Sequence, residues 1–317
     1  MVLITRTFVV GLAVAAGLAA CGGDDDGSGA VGDQIAVVAS FYPLAEAVRQ
    51  VGGELVEVED LTPAGAEPHD LELTTDQVDD LEDADLVVVM GRDFQPAVED
   101  VAERRDGTTI VVLDELDVGE GRVQDEHAEE AGGDEHADEE GALDPHVWLD
   151  PTRMRTVVNT VEAALAGADP TSADTYSANA EAYVAQLDTL DADFEAGLEN
   201  CDRREMITAH EAFGWMAARY DLEQHAIAGL EPDQEPSADR IAELADLAAN
   251  EGATTVFTET LVSPDVAETV AREAGGLRTR VLNPIEGLTE EERDNGDDYI
   301  SLMRVNLAEL REALGCS

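Results

Sequence analysis

Leu86-Val87-Val88-Val89-Met90 is the clearest strand in the chain, apolar at every position. An unbroken apolar run of this length reads as a strand covered on both faces, the habit of parallel sheets. Working outward, Ile35-Ala36-Val37-Val38-Ala39 is a second such run. Pro43 then opens a helical pattern through Ala47 and Val51, with proline at a first-turn position. Leu55 to Val58 alternates as a strand does, and Thr74 is placed to cap a helix carrying Val78 and Leu81. Downstream, a helix from Pro96 to about Arg105 and a strand from Thr109 to Leu113 complete the unit. Short apolar strands alternating with amphipathic helices predict an α/β fold with a mostly parallel sheet flanked by helices.

The pattern recurs further on. Pro151 starts a helix through Ala166. Tyr176, Tyr183, Leu187, Leu190, Phe194 and Leu198 then mark one nearly continuous helix from Thr171 to about Glu199. At about 1.5 Å per residue it would be roughly 43 Å long, enough to run along two domains. Strands follow at Met206-Ile207-Thr208, Gln224 to Ala228, Thr254 to Thr258 and Arg278 to Leu282. Between and after them lie helices at His210 to Tyr220, Ser237 to Asn250, Ser263 to Ala274 and Asp298 to Leu314. Ser237, followed by Arg240 and Ile241, fits a cap before an apolar stripe. The expected organisation is an N-terminal domain over 34–168, a rigid linker helix over 169–200 and a C-terminal domain over 201–317.

The first twenty residues read as an export signal. Arg6 is their only charge, Phe8 to Ala20 is mostly apolar, and Leu18-Ala19-Ala20 precedes Cys21. That arrangement resembles a lipoprotein signal, in which Cys21 would carry the lipid. Residues 21–33, rich in glycine and aspartate, read as a flexible tether. No later stretch is apolar for the eighteen or more residues a spanning helix needs, so the expectation is a lipid-anchored, extracytoplasmic protein. Such a compartment permits a disulfide between the two remaining cysteines, Cys201 and Cys316, with two free thiols as the alternative.

Formal charge is −54, from 72 acidic and 18 basic residues, and every basic residue is arginine. Without lysine, the phosphate loop that ends in Gly-Lys-Ser/Thr is excluded. The acidity speaks against nucleic-acid partners, which are held by basic side chains. Residues 114–144 hold fourteen acids, five glycines and no aromatic residue, and read as a solvated surface loop. Within them Asp125-Glu126-His127-Ala128-Glu129-Glu130 is nearly repeated by Asp134-Glu135-His136-Ala137-Asp138-Glu139. His127 and His136 are candidates for weak metal capture.

The chain has six histidines, and three of them stand in segments marked by proline or aromatic residues. These are His69 in Glu67-Pro68-His69-Asp70, His146 in Asp144-Pro145-His146-Val147-Trp148-Leu149-Asp150-Pro151, and His210 in Ala209-His210-Glu211-Ala212-Phe213-Gly214. With Glu286 in Asn283-Pro284-Ile285-Glu286-Gly287-Leu288 they form a candidate metal-ligand set. Each histidine lies near the end of a predicted strand or the start of a helix, where open α/β sheets build sites. Three imidazoles and one carboxylate suit a borderline divalent ion, zinc first. Glu259, Asp265 and Asp297 are alternative fourth ligands. Asp70, Asp150 and Glu211 are candidates to orient the imidazoles through their other ring nitrogen.

These segments, together with Ser40-Phe41-Tyr42-Pro43-Leu44 and Gly229-Leu230-Glu231-Pro232-Asp233-Gln234-Glu235-Pro236, resemble the zinc and manganese solute-binding lipoproteins of bacterial ABC importers. The resemblance covers essentially the whole chain after the tether. It implies two α/β domains joined by a rigid helix, with a metal bound in the cleft by the residues matching His69, His146 and His210. It implies a fourth, carboxylate ligand near the end of the chain. Manganese-type members commonly carry a carboxylate where His210 stands, so the histidine points to Zn2+ rather than Mn2+ or Fe2+. Some members have aspartate where Asn283 stands, which leaves Glu286 as the better fourth ligand, with a water as the alternative. The implied partners are a membrane permease and a separate cytoplasmic ATPase, with the protein itself a monomer.

Two other classes bear on the same residues. A zinc hydrolase would need an open coordination position and a general base, and the helical motif H-E-x-x-H does not occur. An adhesin-type surface lipoprotein would bind a host surface independently of metal, and no segment of the chain points to that.

Overall fold

The computed structural model describes residues 34–116 and 143–317. The expected signal, the tether with Cys21, and His127 and His136 all lie outside the described residues.

The expected strand becomes β3 (Leu86–Val89), in a parallel sheet with β1 (Ile35–Ala39), β2 (Val56–Asp60) and β4 (Thr108–Val111), in the order β2-β1-β3-β4. The helices of this lobe are α1 (Tyr42–Gly52), α2 (Thr75–Asp83), α3 (Pro96–Arg104) and the short α4 (Val112–Glu115). Two longer helices follow, α5 (Pro151–Ala168) and α6 (Ala173–Leu198). The second sheet repeats the first topology as β6-β5-β7-β8. Its strands are β5 (Glu205–Thr208), β6 (Glu223–Ala226), β7 (Thr255–Thr258) and β8 (Arg278–Val281). Around them lie α7 (Gly214–Arg219), α8 (Ala238–Glu251), α9 (Asp265–Glu273), α10 (Glu290–Asn295) and α11 (Tyr299–Leu314). Among the described residues no helix is long and apolar enough to cross a membrane.

Strand periodicity explains the layering. Side chains alternate between faces, so Val37, Ala39, Leu86 and Val88 face one core while Val38, Val87 and Val89 face another. The outer layer of the first lobe closes with Leu81, Val98 and Val101 from α2 and α3. In the second lobe Ile207 and Val256 meet Leu244, Ala248 and Val270 from α8 and α9. The inner cluster is shared by both lobes: Val37, Trp148, Tyr183, Leu190, Met206, Phe213, Phe257 and Tyr299 belong to one continuous buried group. Helix α6 contributes Tyr176, Tyr183, Leu187, Leu190, Phe194 and Leu198 to it. At its start the Asn179 side chain donates to Val51 O at 2.9 Å, and near its end Arg304 of α11 meets Asp193 at 3.4 Å. One helix therefore packs on both lobes.

Local chemistry sets most element boundaries. Thr74 accepts from Gln77 N in a reciprocal capping box, and Ser237 accepts from Arg240 N. Several elements differ from the sequence expectation. The strand expected to reach Leu113 stops at Val111, where α4 takes over. The helix expected from His210 begins only at Gly214, because Glu211 N donates to Gly229 O and holds the chain in a turn. Helix α10 was not expected, although Thr289 and Glu292 form its capping box. Cys201 and Cys316 are joined in a disulfide that ties the end of α6 to the end of α11.

Candidate metal centre

In an open parallel sheet, loops leave the carboxyl ends of neighbouring strands on one side, so side chains distant in sequence can converge there. His69 lies after β2, His210 two residues after β5, and Glu286 beyond β8. His146 leads into the short 3-10 turn Val147–Leu149 before α5. Ring or carboxylate atoms of these four residues all lie within 4.8 Å of one another. Glu286 Oε1 is 3.4 Å from His69 Nε2, 3.2 Å from His146 Nε2 and 3.3 Å from His210 Nε2. The Nε2 atoms of His146 and His210 are 3.3 Å apart. A tetrahedral ion with bonds of about 2.0–2.1 Å needs ligand–ligand edges of about 3.3–3.4 Å. These four separations match that figure to within 0.2 Å.

Two of the imidazoles are held from behind. Asp144 Oδ1 accepts from His146 N at 2.9 Å and sits 2.8 Å from its Nδ1. Glu259 grips His210 with two oxygens, Oε1 accepting from the backbone N at 3.0 Å and Oε2 lying 2.6 Å from Nδ1. With Nδ1–H donating to a carboxylate, each Nε2 keeps its lone pair for the cluster. The loop bearing His69 is drawn in by Glu67, whose Oε2 accepts from His69 N at 3.0 Å. It is tied to the Glu286 loop where Gly65 N donates to Leu288 O at 2.8 Å. Gly214 is required by its neighbour: a Cβ there would lie 2.7 Å from Asp144 Oδ2.

Glu286 is positioned by a strained turn. Ile285 has φ +56°, a left-handed conformation that β-branched residues rarely adopt. The surrounding bonds enforce it: Ile285 N donates to Asn283 Oδ1 at 2.8 Å, Asn306 exchanges two bonds with the Asn283 backbone, and Trp148 Nε1 donates to Pro284 O at 2.8 Å. Asn283 therefore shapes the turn and is not in the cluster. Of the alternative fourth ligands, Glu259 lies behind His210, while Asp265 and Asp297 are not in the cluster. Asp150 caps α5 by accepting from Thr152 N, so the expectation that it orients His146 is corrected in favour of Asp144. Glu259 takes that part at His210. Asp144 stands in the same Asp-Pro-His segment as its imidazole, and Glu259 directly follows β7, the neighbour of β5.

Burial makes these charges interdependent. His146, His210 and Glu286 are at most 1% exposed. Burial alone would lower the His210 pKa, but Glu259 and Glu286 raise it well above the ordinary imidazole value. Burial likewise opposes the charge on His146, and Asp144 with Glu286 outweigh it. For Glu286 burial works to raise the pKa, while His210, His146 and His69 hold it well below the carboxylate range. Glu67, partly buried beside the cluster, is pushed up to about 7, chiefly by desolvation. Four protein donors would saturate a tetrahedral ion and leave no position for a reactive water.

Fold and cluster together define a two-lobed α/β protein with one imidazole–carboxylate cluster buried where the lobes meet. The chain belongs to the ZnuA family, "Zinc-uptake complex component A periplasmic", which matches residues 37–313. It is 38% identical over 287 residues to the zinc-binding protein AdcA of Streptococcus pyogenes, covering 88% of this chain and 56% of that one. The chain thus spans little more than half the length of that relative. It is 35% identical to the high-affinity zinc uptake system protein ZnuA of Bacillus subtilis, covering 94% and 93%. The Zn(II)-bound ZnuA-like domain of Streptococcus pneumoniae AdcA superimposes with a TM-score of 0.71 at 34% identity, covering 89% of this chain and 99% of that domain.

Proposed function

We propose that this protein captures Zn2+ outside the cytoplasm and hands it to the permease of an ABC importer driven by a separate ATPase. His69, His146, His210 and Glu286 are the ligands. The observation that carries the reading is that four of the six separations among their donor atoms are 3.2–3.4 Å, the spacing a tetrahedral ion requires. A closed four-ligand site holds and releases an ion without activating water, so the protein acts as a carrier and not as an enzyme. The Zn(II)-bound relative supports zinc over manganese or iron. Cys21 carries a lipid that keeps the monomer at the membrane near its permease. The lobes, over 34–168 and 201–317, move little on loading, because the linker over 169–200 and one continuous core join them.

The test is metal content by plasma mass spectrometry on the form lacking residues 1–21, with zinc titrated against manganese for wild type and His210→Ala. One tight zinc, lost in the variant, is the expected result. Tight manganese or iron with zinc excluded would overturn the assigned cargo. A large change in radius of gyration by X-ray scattering on loading would overturn the small-movement reading.

A further inference from the structure

The sixth histidine has no part in the central cluster. His225 lies in β6, an edge strand of the second sheet, paired in parallel with β5. Glu205 of β5 stands directly opposite Glu223 of β6. Side chains two apart on a strand share a face, so Glu223 and His225 project to the same side. Donor atoms of Glu205, Glu223 and His225 all lie within 4.8 Å of one another. His225 Nε2 is 2.5 Å from Glu205 Oε2 and 3.6 Å from Glu223 Oε1. The Glu205 and His225 side chains are 18% and 15% exposed, while Glu223 is 64% exposed.

We propose that Glu205, Glu223 and His225 form a second, weaker site for a divalent transition-metal ion such as Zn2+, on the edge of the second sheet. Two carboxylates opposite each other on adjacent strands repel. The one imidazole can offset at most one of these charges, whereas a divalent ion matches both. Two oxygens and one imidazole nitrogen are a donor set for borderline ions. Three ligands leave a coordination position for water, as the four-ligand cluster does not. Both strands fix the backbone, so loading needs only side-chain rotation that widens the 2.5 Å pair to about 3.3 Å, the edge of a tetrahedron with bonds of about 2.0–2.1 Å. The adjoining groove, about 1080 Å³, is lined by Glu223, His225, Asp239 and Glu243 and gives water room at the open side. Its arginine, Arg240, is turned to Ala226 O and to Glu243. Between the two ligands of β6, Gln224 points the other way and donates to His210 O at 2.9 Å, so β6 touches both sites.

The test uses the full processed chain carrying His127→Ala and His136→Ala, which removes the other imidazoles outside the central cluster. Zinc chloride is titrated calorimetrically, and 113Cd NMR reads the donor set of each site. Two equivalents are expected in this parent. His225→Gln should lose the weaker one and keep the tight one, which also reports correct folding. His210→Ala should do the reverse. Glu205→Gln should weaken the second equivalent without touching the first. A single equivalent in the parent, or a second equivalent that survives His225→Gln, overturns the proposal. Loss of the tight equivalent in His225→Gln, with the weaker one kept, would overturn the proposal as well.

Discussion

The two histidine clusters of this molecule use the same residue types to different ends. The central one combines four donors from four separate segments, nearly sealed from water, with Asp144 and Glu259 fixing two imidazoles from behind. The edge one takes three donors from two neighbouring strands, and Glu223 stands largely in solvent. Burial is what separates them. A buried charge is costly unless it is paired and hydrogen-bonded, so the central residues are held in one arrangement by a second layer of partners. Of the edge residues, Glu223 is open to water, and Glu205 and His225 are only partly buried, so the set needs no such layer. A buried, braced set is expected to bind an ion tightly and select it by geometry, and an exposed set to exchange it readily.

Breaking the central cluster should have the largest effect. Four-ligand zinc sites bind with about 10–16 kcal/mol, roughly a quarter per ligand, so His210→Ala should weaken zinc about 100–1000-fold in a competition titration. Wild-type affinity in that variant would mean the ion sits elsewhere. Removing the brace is the next test. Glu259→Gln or Asp144→Asn should cost about 10–100-fold in affinity, with stoichiometry unchanged. Equal changes at Asp144 and at a solvent-exposed acid would show that the second layer does nothing special.

Acidity sharpens the contrast further. Ligation needs neutral imidazoles, and without metal His146 and His210 hold protons to higher pH than a free imidazole. The logarithm of the zinc association constant should therefore rise with pH through and above about 6.5, by up to about two decades per unit. A flat profile between pH 6 and 8 would contradict the ligand assignment. Stability of the metal-free fold runs the other way. A raised imidazole pKa contributes stability that is present below the unfolded value of about 6.5 and lost as pH rises through the folded value. The depressed Glu286 contributes stability present above the ordinary carboxylate range and lost as pH falls through its lowered value. With a chelator present, melting temperature should thus fall, and not rise, from pH 6 to pH 8.

A smaller effect is expected where the lobes are tied. Trp148→Phe leaves Pro284 O without its donor, which should cost about 1–3 kcal/mol of stability. Thermal melts should drop by about 2–4 °C per kcal/mol. The smallest effect closes the comparison: His225→Gln should leave the tight zinc constant within about twofold. A larger change would mean that β6 couples the two sites through Gln224 and His210 O.

Much of the fold was legible because its signals are local. The apolar run at Leu86–Val89, the proline at the start of α1 and the caps at Thr74 and Ser237 each act within a few residues. Helix α10 was missed although its capping box is local, and other misreadings followed the wider fold. Gly229 O captures Glu211 N and delays α7, and α4 takes the last two residues of an expected strand. Among the cluster residues, the histidines stood out because histidine is scarce in this chain, with six in 317 residues, and their segments are distinctive. His225 escaped notice because its segment carries no motif and its partner Glu205 lies on another strand.

The sequence by itself determined the alternation of strands and helices, the three central imidazoles and the acid-rich, lysine-free character of the chain, since each is written in residue type and short-range spacing. Only the tertiary structure decided which of 72 acids serve them. Glu286 faces the imidazoles and Glu259 stands behind one, though both follow strands of the same sheet. The difference lies in a turn held at Ile285 by Asn283, Asn306 and Trp148. No pattern along the chain can encode that choice, because hydrogen bonds from three separate parts of the fold set the direction of one carboxylate.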